Sequence, residues 1–222
     1  ARLVAESLGR KLKIVSGAWA DWPLGLSSGK CDVVISNLTV TEERKEKSDF
    51  STYRKDVAAF FVKLDSPIQS INELKDIAGL RVTTGSGIHS EKILLEWNRL
   101  NVAAGLKPIE VLYFEAESIE RLAPQSGRVD VKSHANPGQT YQAGLGAEAT
   151  RRVGLANWRW PQTAENGLVT REGSGLAEPL TGVINDLINN GTYQKVIARW
   201  NLAEEGIDHS STNPAGLLKT KN

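Results

Sequence analysis

Methionine is absent from all 222 residues, cysteine occurs once and histidine three times. A single cysteine, Cys31, excludes an internal disulfide and any cysteine-based metal cluster. Its place before an apolar run suits a small buried side chain better than a nucleophile. No apolar stretch is long enough to span a bilayer, which excludes a membrane-spanning helix. An excess of one charge is missing too, since 27 Lys and Arg stand against 26 Asp and Glu. That balance gives no electrostatic reason to expect nucleic acid or an anionic membrane as a partner. His89, His134 and His209 have no ligand-like spacing, and there is no Ser-His-Asp order, nucleophile elbow or H-E-x-x-H, so neither a metal, a cofactor nor catalysis is expected. Without Met, even at position 1, the chain reads as something other than a complete primary translation product, and no signal peptide is visible in it.

What is present centres on Asp32 to Arg54. Val33, Val34 and Ile35 read as a buried strand, Ser36, Asn37 and Thr39 as a polar turn, and a short helix opens at Thr41. The Thr41 hydroxyl can accept a bond from a free amide of the first turn, where Glu42 and Glu43 suit the positive end of the helix dipole. Arg44 follows one turn in. A guanidinium fixed beside hydroxyls at a strand end matches the two oxygens of a small carboxylate. Read alone, the E-E-R-K run is equally an ordinary solvated helix.

Along the chain, a helix with Leu3, Val4 and Leu8 stops at Gly9, and a short strand is expected over Leu12 to Val15. Trp19, Trp22 and Pro23 lie in a loop. Val57 to Val62 is an apolar run that leads to a crossing segment at Pro67. Ser70 and Glu73 have capping-box spacing for a helix over 70–79. Leu80 to Thr84 is a strand running into Gly85-Ser86-Gly87 and a helix bearing Ile93, Leu94, Trp97 and Leu100 on one face, a βα unit whose helix-start amides face one spot. A strand over Ile109 to Phe114, a helix around Ile119 to Gln125, a second crossing over Asn157 to Glu165 and a strand over Gly167 to Arg171 follow. Leu176, Leu180, Val183, Ile184, Leu187 and Ile188 trace a helical stripe ended by Gly191, and Tyr193, Val196, Ile197 and Trp200 another. From Ala203 the tail is polar and expected to be loosely held. Alternating strands and helices indicate an α/β fold with mainly parallel sheets.

Four stretches together resemble the family 3 extracellular solute-binding proteins, the amino-acid receptors of ABC importers. They are N-L-T-V-T-E-E-R-K-E-K-S-D-F-S-T-Y at 37–53, S-I-N-E-L-K-D-I-A-G-L-R-V-T-T-G-S-G at 70–87, Q-S-G-R-V-D at 125–130 and L-I-N-N-G-T-Y-Q-K-V-I-A-R-W at 187–200. They occur in the family's order and cover nearly the whole chain. The resemblance implies a type II periplasmic-binding-protein fold: lobe 1 over 1–63 and 165–202, without the family's usual opening strand, lobe 2 over 66–162, two hinge crossings, and a tail over 203–222. Ligand would be trapped in the cleft as the lobes close. The implied protein is a monomer in the periplasm, or tethered outside the cell, that passes a small carboxylate-bearing solute to the importer's membrane permease.

Position by position, Arg44 matches the arginine that pairs with the ligand α-carboxylate, and Asn37 and Thr39 the strand-end residues that add a side-chain and a backbone contact. Trp19 falls where the family sets an aromatic ring against the ligand, and Ser86, Gly87 and Ile88 match the lobe 2 loop that reaches the same carboxylate. Where most members carry an aspartate for the α-ammonium, this chain has Asn136, which brings no charge. Either another carboxylate (Glu165, Glu117 or Asp21) takes over, or the ligand is not a standard α-amino acid. Two alternatives use the same fold: an enzyme similar to the cyclohexadienyl (arogenate/prephenate) dehydratases, and the sensor module of a receptor. Asn136 in place of a cleft acid argues against the enzyme.

Overall fold

A computed structural model describes residues 1–144, 149–155 and 164–218. In chain order the elements are α1 (Arg2–Ser7), α2 (Trp22–Ser27), β1 (Val33–Thr39), α3 (Glu42–Lys45), β2 (Ser48–Lys55), β3 (Ala58–Lys63), β4 (Arg81–Thr83) and α4 (His89–Ala103). Then come β5 (Glu110–Leu112), α5 (Glu117–Leu122), β6 (Val131–Ala135), α6 (Asn136–Gly144), β7 (Thr150–Leu155), β8 (Glu165–Arg171), α7 (Ala177–Asn189) and α8 (Thr192–Arg199). The chain divides into two compact units, Ala1–Asp56 with Gln162–Asn222, and Val57–Pro161. The expected lobe boundary differs by β3, which falls in unit 2 because both of its ladder partners, β6 and β7, are there. The second crossing, expected over Asn157 to Glu165, lies outside the described residues up to position 163.

Unit 1 holds a sheet in the order β1-β8-β2 in which both pairings are antiparallel. The expectation of a mainly parallel sheet is therefore corrected for this unit. The reason lies in the route of the chain: β2 leaves at Lys55 and β8 returns beside it, with Lys55 opposite Glu165, so the two must run in opposite directions. Side chains alternate across the sheet. Val169 of β8 joins Leu26, Leu38 and Phe50 on one face, while Leu168 packs with Leu180, Ile184 and Ile188 of α7 on the other. Burying each such side chain stabilises the unit by about 1.5–3 kcal/mol.

Gly167 is fixed by this packing, because a Cβ there would come within 2.9 Å of Phe50 Cδ1 and 3.3 Å of the Ser51 carbonyl. Phe50 is fully buried and has no room to yield.

Within the described part of the tail, residues 210–217 are not loose. β2 is an edge strand of its sheet, and residues 210–217 cover part of that edge. The Thr52 amide donates to the Ser211 carbonyl (3.1 Å), the Asn213 amide to the Phe50 carbonyl (3.0 Å), and the Phe50 amide to Asn213 Oδ1 (2.8 Å). Leu217 exchanges backbone bonds with Val40 and Glu42, each 3.0 Å. Polar composition here marks hydrogen bonding to an open strand rather than solvation.

Unit 2 holds a mixed sheet in the order β5-β4-β6-β3-β7, parallel between β4, β5 and β6 and antiparallel where β3 meets β6 and β7. The βα unit expected at 80–100 forms as read, with Ile93, Leu94 and Trp97 buried against the sheet and the Phe60 and Trp97 rings 5.5 Å apart. Two expected elements do not form. Residues 12–15 carry no ladder among the described residues, and Ile14 is 78% exposed. The helix expected over 70–79 is a single 3-10 turn, Leu74–Ile77, whose capping box joins Glu73 and Asp76 rather than Ser70 and Glu73.

Arg81 at the start of β4 and Asp130 of the G-R-V-D stretch are joined by an ion pair. Asp130 accepts from the Arg81 backbone amide (2.9 Å), Nε (3.2 Å) and Nη2 (2.7 Å), pinning β4 to the segment before β6. The Arg81 hydrogen bond holds the Asp130 carboxyl below its ordinary range.

We expect Gly167→Ala to lower unfolding stability by about 1–3 kcal/mol in urea titration, as overpacking of a filled core does. The depressed Asp130 pKa adds stability that is present above the unfolded-state value and is lost as pH falls below about 4 through the folded-state value. Acid unfolding followed by circular dichroism should therefore be less steep in Asp130→Asn; an unchanged profile would assign the acid sensitivity to other carboxylates.

Candidate ligand-binding site

In unit 1, α3 is short and depends on its cap: the Arg44 amide donates to Thr41 Oγ1 at 3.1 Å, as the sequence suggests. That turn aims the Arg44 side chain back along the end of β1. Its Nη1 donates to the Thr39 carbonyl (2.9 Å), and its guanidinium carbon stands 6.0 Å from the centre of the Trp19 ring. The structure thus brings Trp19, Thr39 and Arg44 together, with the guanidinium oriented by a carbonyl and an aromatic face. Burial pulls the Arg44 pKa down, while Asp56 and Glu43 oppose that shift, and a guanidinium stays charged in any case.

Asn37 sits in an irregularity of β1: the register against β8 slips between Val34 and Leu38, and Asn37 adopts φ 51°. An asparagine tolerates this left-handed conformation better than most residues. Its Oδ1 turns to Arg54 Nη2 (2.7 Å) and lies 3.5 Å from the Tyr53 hydroxyl. The contact expected between Asn37 and a ligand is thus restricted, because the side-chain oxygen already serves the protein. Thr39 is likewise engaged, its hydroxyl donating to Asp56 Oδ2 at 2.7 Å. Asp56 also accepts from Asn166 Nδ2 (3.0 Å), tying the ends of β1 and β8 together where the chain leaves the unit.

Below this layer lies an ion pair between Arg54 and Glu205, 2% and 1% exposed. Arg54 Nη1 also donates to the Lys55 carbonyl at 2.8 Å. The Tyr193 hydroxyl donates to the Tyr53 carbonyl (2.7 Å) and accepts from the Ile207 amide (3.1 Å), closing the cluster. Burial raises the pKa of both tyrosines. Sequence reasoning missed Arg54, Asp56 and Glu205. The signal available for the first two was their place at the end of β2, beside the crossing.

In unit 2, β4 and β6 are parallel neighbours, so the loop after Thr83 and the segment after Ala135 emerge at one edge of the sheet. Open α/β sheets bind ligands at such carboxyl ends. Ser86 and Gly87 are exposed and Ile88 half-buried; Gly87 needs its φ of 73° to turn the loop into α4. The hydroxyls of Thr84 and Ser90, 3.0 Å apart, fix the two sides of the loop. The Gly87 amide, expected to serve a ligand carboxylate, donates instead to Glu91 Oε2 at 2.6 Å. Burial and a hydrogen bond to Glu91 push the Tyr113 hydroxyl up to about 12.

Asn136 opens α6 and is 2% exposed. Its amide donates to the Val57 carbonyl (2.9 Å), and its Oδ1 accepts from Thr140 Oγ1 (2.9 Å) and Arg152 Nη1 (3.2 Å). Arg152 was not anticipated; its only sequence signal is the Arg151-Arg152 pair. Of the carboxylates considered as substitutes, Asp21 and Glu165 belong to unit 1, and the Glu117 side chain lies outside the described residues. Among the described residues no group of three or more His, Cys, Asp or Glu is placed to hold a metal.

Residues 1–203 match the bacterial extracellular solute-binding proteins, family 3. The chain belongs to that family. Family 3 membership makes it a solute-binding protein with the two-lobed type II periplasmic-binding-protein fold. Its sequence is 27% identical over 205 residues to the L-cystine-binding protein TcyJ of Escherichia coli K12, covering 90% of this chain and 71% of that one. It is 29% identical over 126 residues to a glutamine-binding protein of Geobacillus stearothermophilus, covering 56% of this chain and 38% of that one. Among solved structures, an ancestral arginine-binding protein bound to arginine matches with a TM-score of 0.68 at 28% identity, over 89% of this chain and 84% of that one. AncCDT-1, an ancestral amino-acid-binding protein described as a precursor of cyclohexadienyl dehydratase, matches with a TM-score of 0.70 at 26% identity, over 90% and 81%.

Replacing Glu205 by Gln should destabilise unit 1 by about 3 kcal/mol or more in chemical unfolding, because a buried guanidinium loses its counter-charge. A midpoint within error of the parent would mean that the neighbouring carbonyl and amide oxygens suffice to hold Arg54.

Proposed function

We propose that this family 3 protein works outside the cytoplasm, in the periplasm or tethered to the membrane surface, where it captures an amino acid or related small carboxylate as a monomer and delivers it to the membrane permease of an ABC importer. It performs no chemistry on that solute. The observation that carries the reading is the Arg44 site: a half-buried guanidinium, oriented by the Thr39 carbonyl and faced by Trp19, with no protein hydrogen bond to Nε or Nη2 among the described residues. Those nitrogens are donors suited to a carboxylate. The binding of amino acids by the relatives named above supports the same solute class.

The likeness to AncCDT-1 raises one other reading, a dehydratase on this fold. Such an enzyme needs an acid or base within reach of the reacting group, and Asn136 offers neither. Incubation with prephenate and detection of phenylpyruvate would support it.

Thermal-shift screening against amino acids, opines and other small carboxylates should identify solutes that raise the melting temperature, since a ligand of the folded state alone stabilises it. For any hit, Arg44→Ala should weaken binding by more than about 2 kcal/mol in calorimetry. Unchanged affinity would remove Arg44 from the site and the carboxylate reading with it.

A further inference from the structure

The hydrogen bonding around Asn136 bears on which carboxylates the protein accepts. The Asn136 side chain has one atom able to receive a hydrogen bond, and that oxygen has two lone pairs. Both are used, by Thr140 Oγ1 at 2.9 Å and Arg152 Nη1 at 3.2 Å. A ligand ammonium can only donate, so this position has nothing left to give it. The guanidinium adds a full positive charge on an exposed side chain, which repels an ammonium and attracts an oxygen. Backbone geometry holds the arrangement in place: Asn136 is anchored to Val57, and Arg152 lies in β7, opposite Phe61 of β3. The segment after β6 and the loop after β4 share one edge of the sheet, and His134 Nε2 would lie 3.6 Å from a Cβ at Gly85.

We infer that the position of Asn136 and Arg152 selects an oxygen acceptor on the solute where a free amino acid carries its ammonium. This rests on the reading that Asn136 meets the solute. The chemical class is a small carboxylate without a free α-ammonium and with a second acceptor, supplied either by a second carboxylate or by the amide of an N-acylated amino acid.

Matched pairs test this on the full chain by calorimetry: glutamine against N-acetylglutamine, arginine against N-acetylarginine, and glutamate against glutarate. The ammonium-free member of at least one pair should bind about tenfold or more tighter than its parent. The N-acetyl and glutarate arms tell the amide source from the carboxylate source. Arg152→Gln should shrink that preference, and Asn136→Asp combined with Arg152→Gln should move it toward the zwitterion; apo melting temperatures report whether each variant folds. Tighter binding of the zwitterions, or a preference that Arg152→Gln leaves unmoved, would overturn the inference while leaving the carboxylate reading intact. Failure of every carboxylate to bind would overturn both.

Discussion

Arg54 brings a full charge to a place that water does not reach, and the local structure of unit 1 is arranged to hold it. A buried guanidinium is tolerable only when its donors and its charge are both answered. Glu205 answers the charge, the Lys55 carbonyl takes a donor, and Asn37 Oδ1 takes another. Each of these partners comes from a different stretch of chain. The Asn37 contact requires β1 to leave its register and take a left-handed residue, and the Glu205 contact brings the segment after α8 down onto β2. The strand-end geometry that presents Thr39 and Arg44 thus shares its foundation with a buried charge cluster.

A common theme runs through both units: groups that look available in sequence are occupied by the protein itself. Asn37, Thr39 and Gly87 each bond to a neighbour, and the Asn136 oxygen bonds to two. Such bonds orient a side chain and limit what it can recognise. At Arg44 one bond orients and leaves donors over. At Asn136 the acceptor capacity is used up beside a second guanidinium, so neither position has an acceptor to offer an ammonium.

The sequence made the α/β class, the unit 2 βα turn, the Thr41 cap and the apolar stripe of α7 readable, because each depends on periodicity or on residues a few positions apart. Arg44 and Trp19 were legible through the family pattern, and their proximity follows from the α3 cap. Strand direction in unit 1 was not legible, since it depends on where β8 returns rather than on its composition. Nor were the Arg54–Glu205 and Asn136–Arg152 pairs, which join residues 151 and 16 positions apart without a local signature. The tail was misread because hydrophilic residues that satisfy an open strand look the same, one by one, as hydrophilic residues that solvate a loop.

That tail also changes how the sheet of unit 1 faces other molecules. An uncovered outer strand offers a row of amides and carbonyls to any extended chain, including another copy of the same protein, and such edges seed aggregation. Ser211 and Asn213 occupy those groups on β2, and Pro214, which lacks a backbone N–H, follows immediately. Residues 210–217 thus close part of that edge mainly through hydrogen bonds, with Leu217 as a buried apolar anchor.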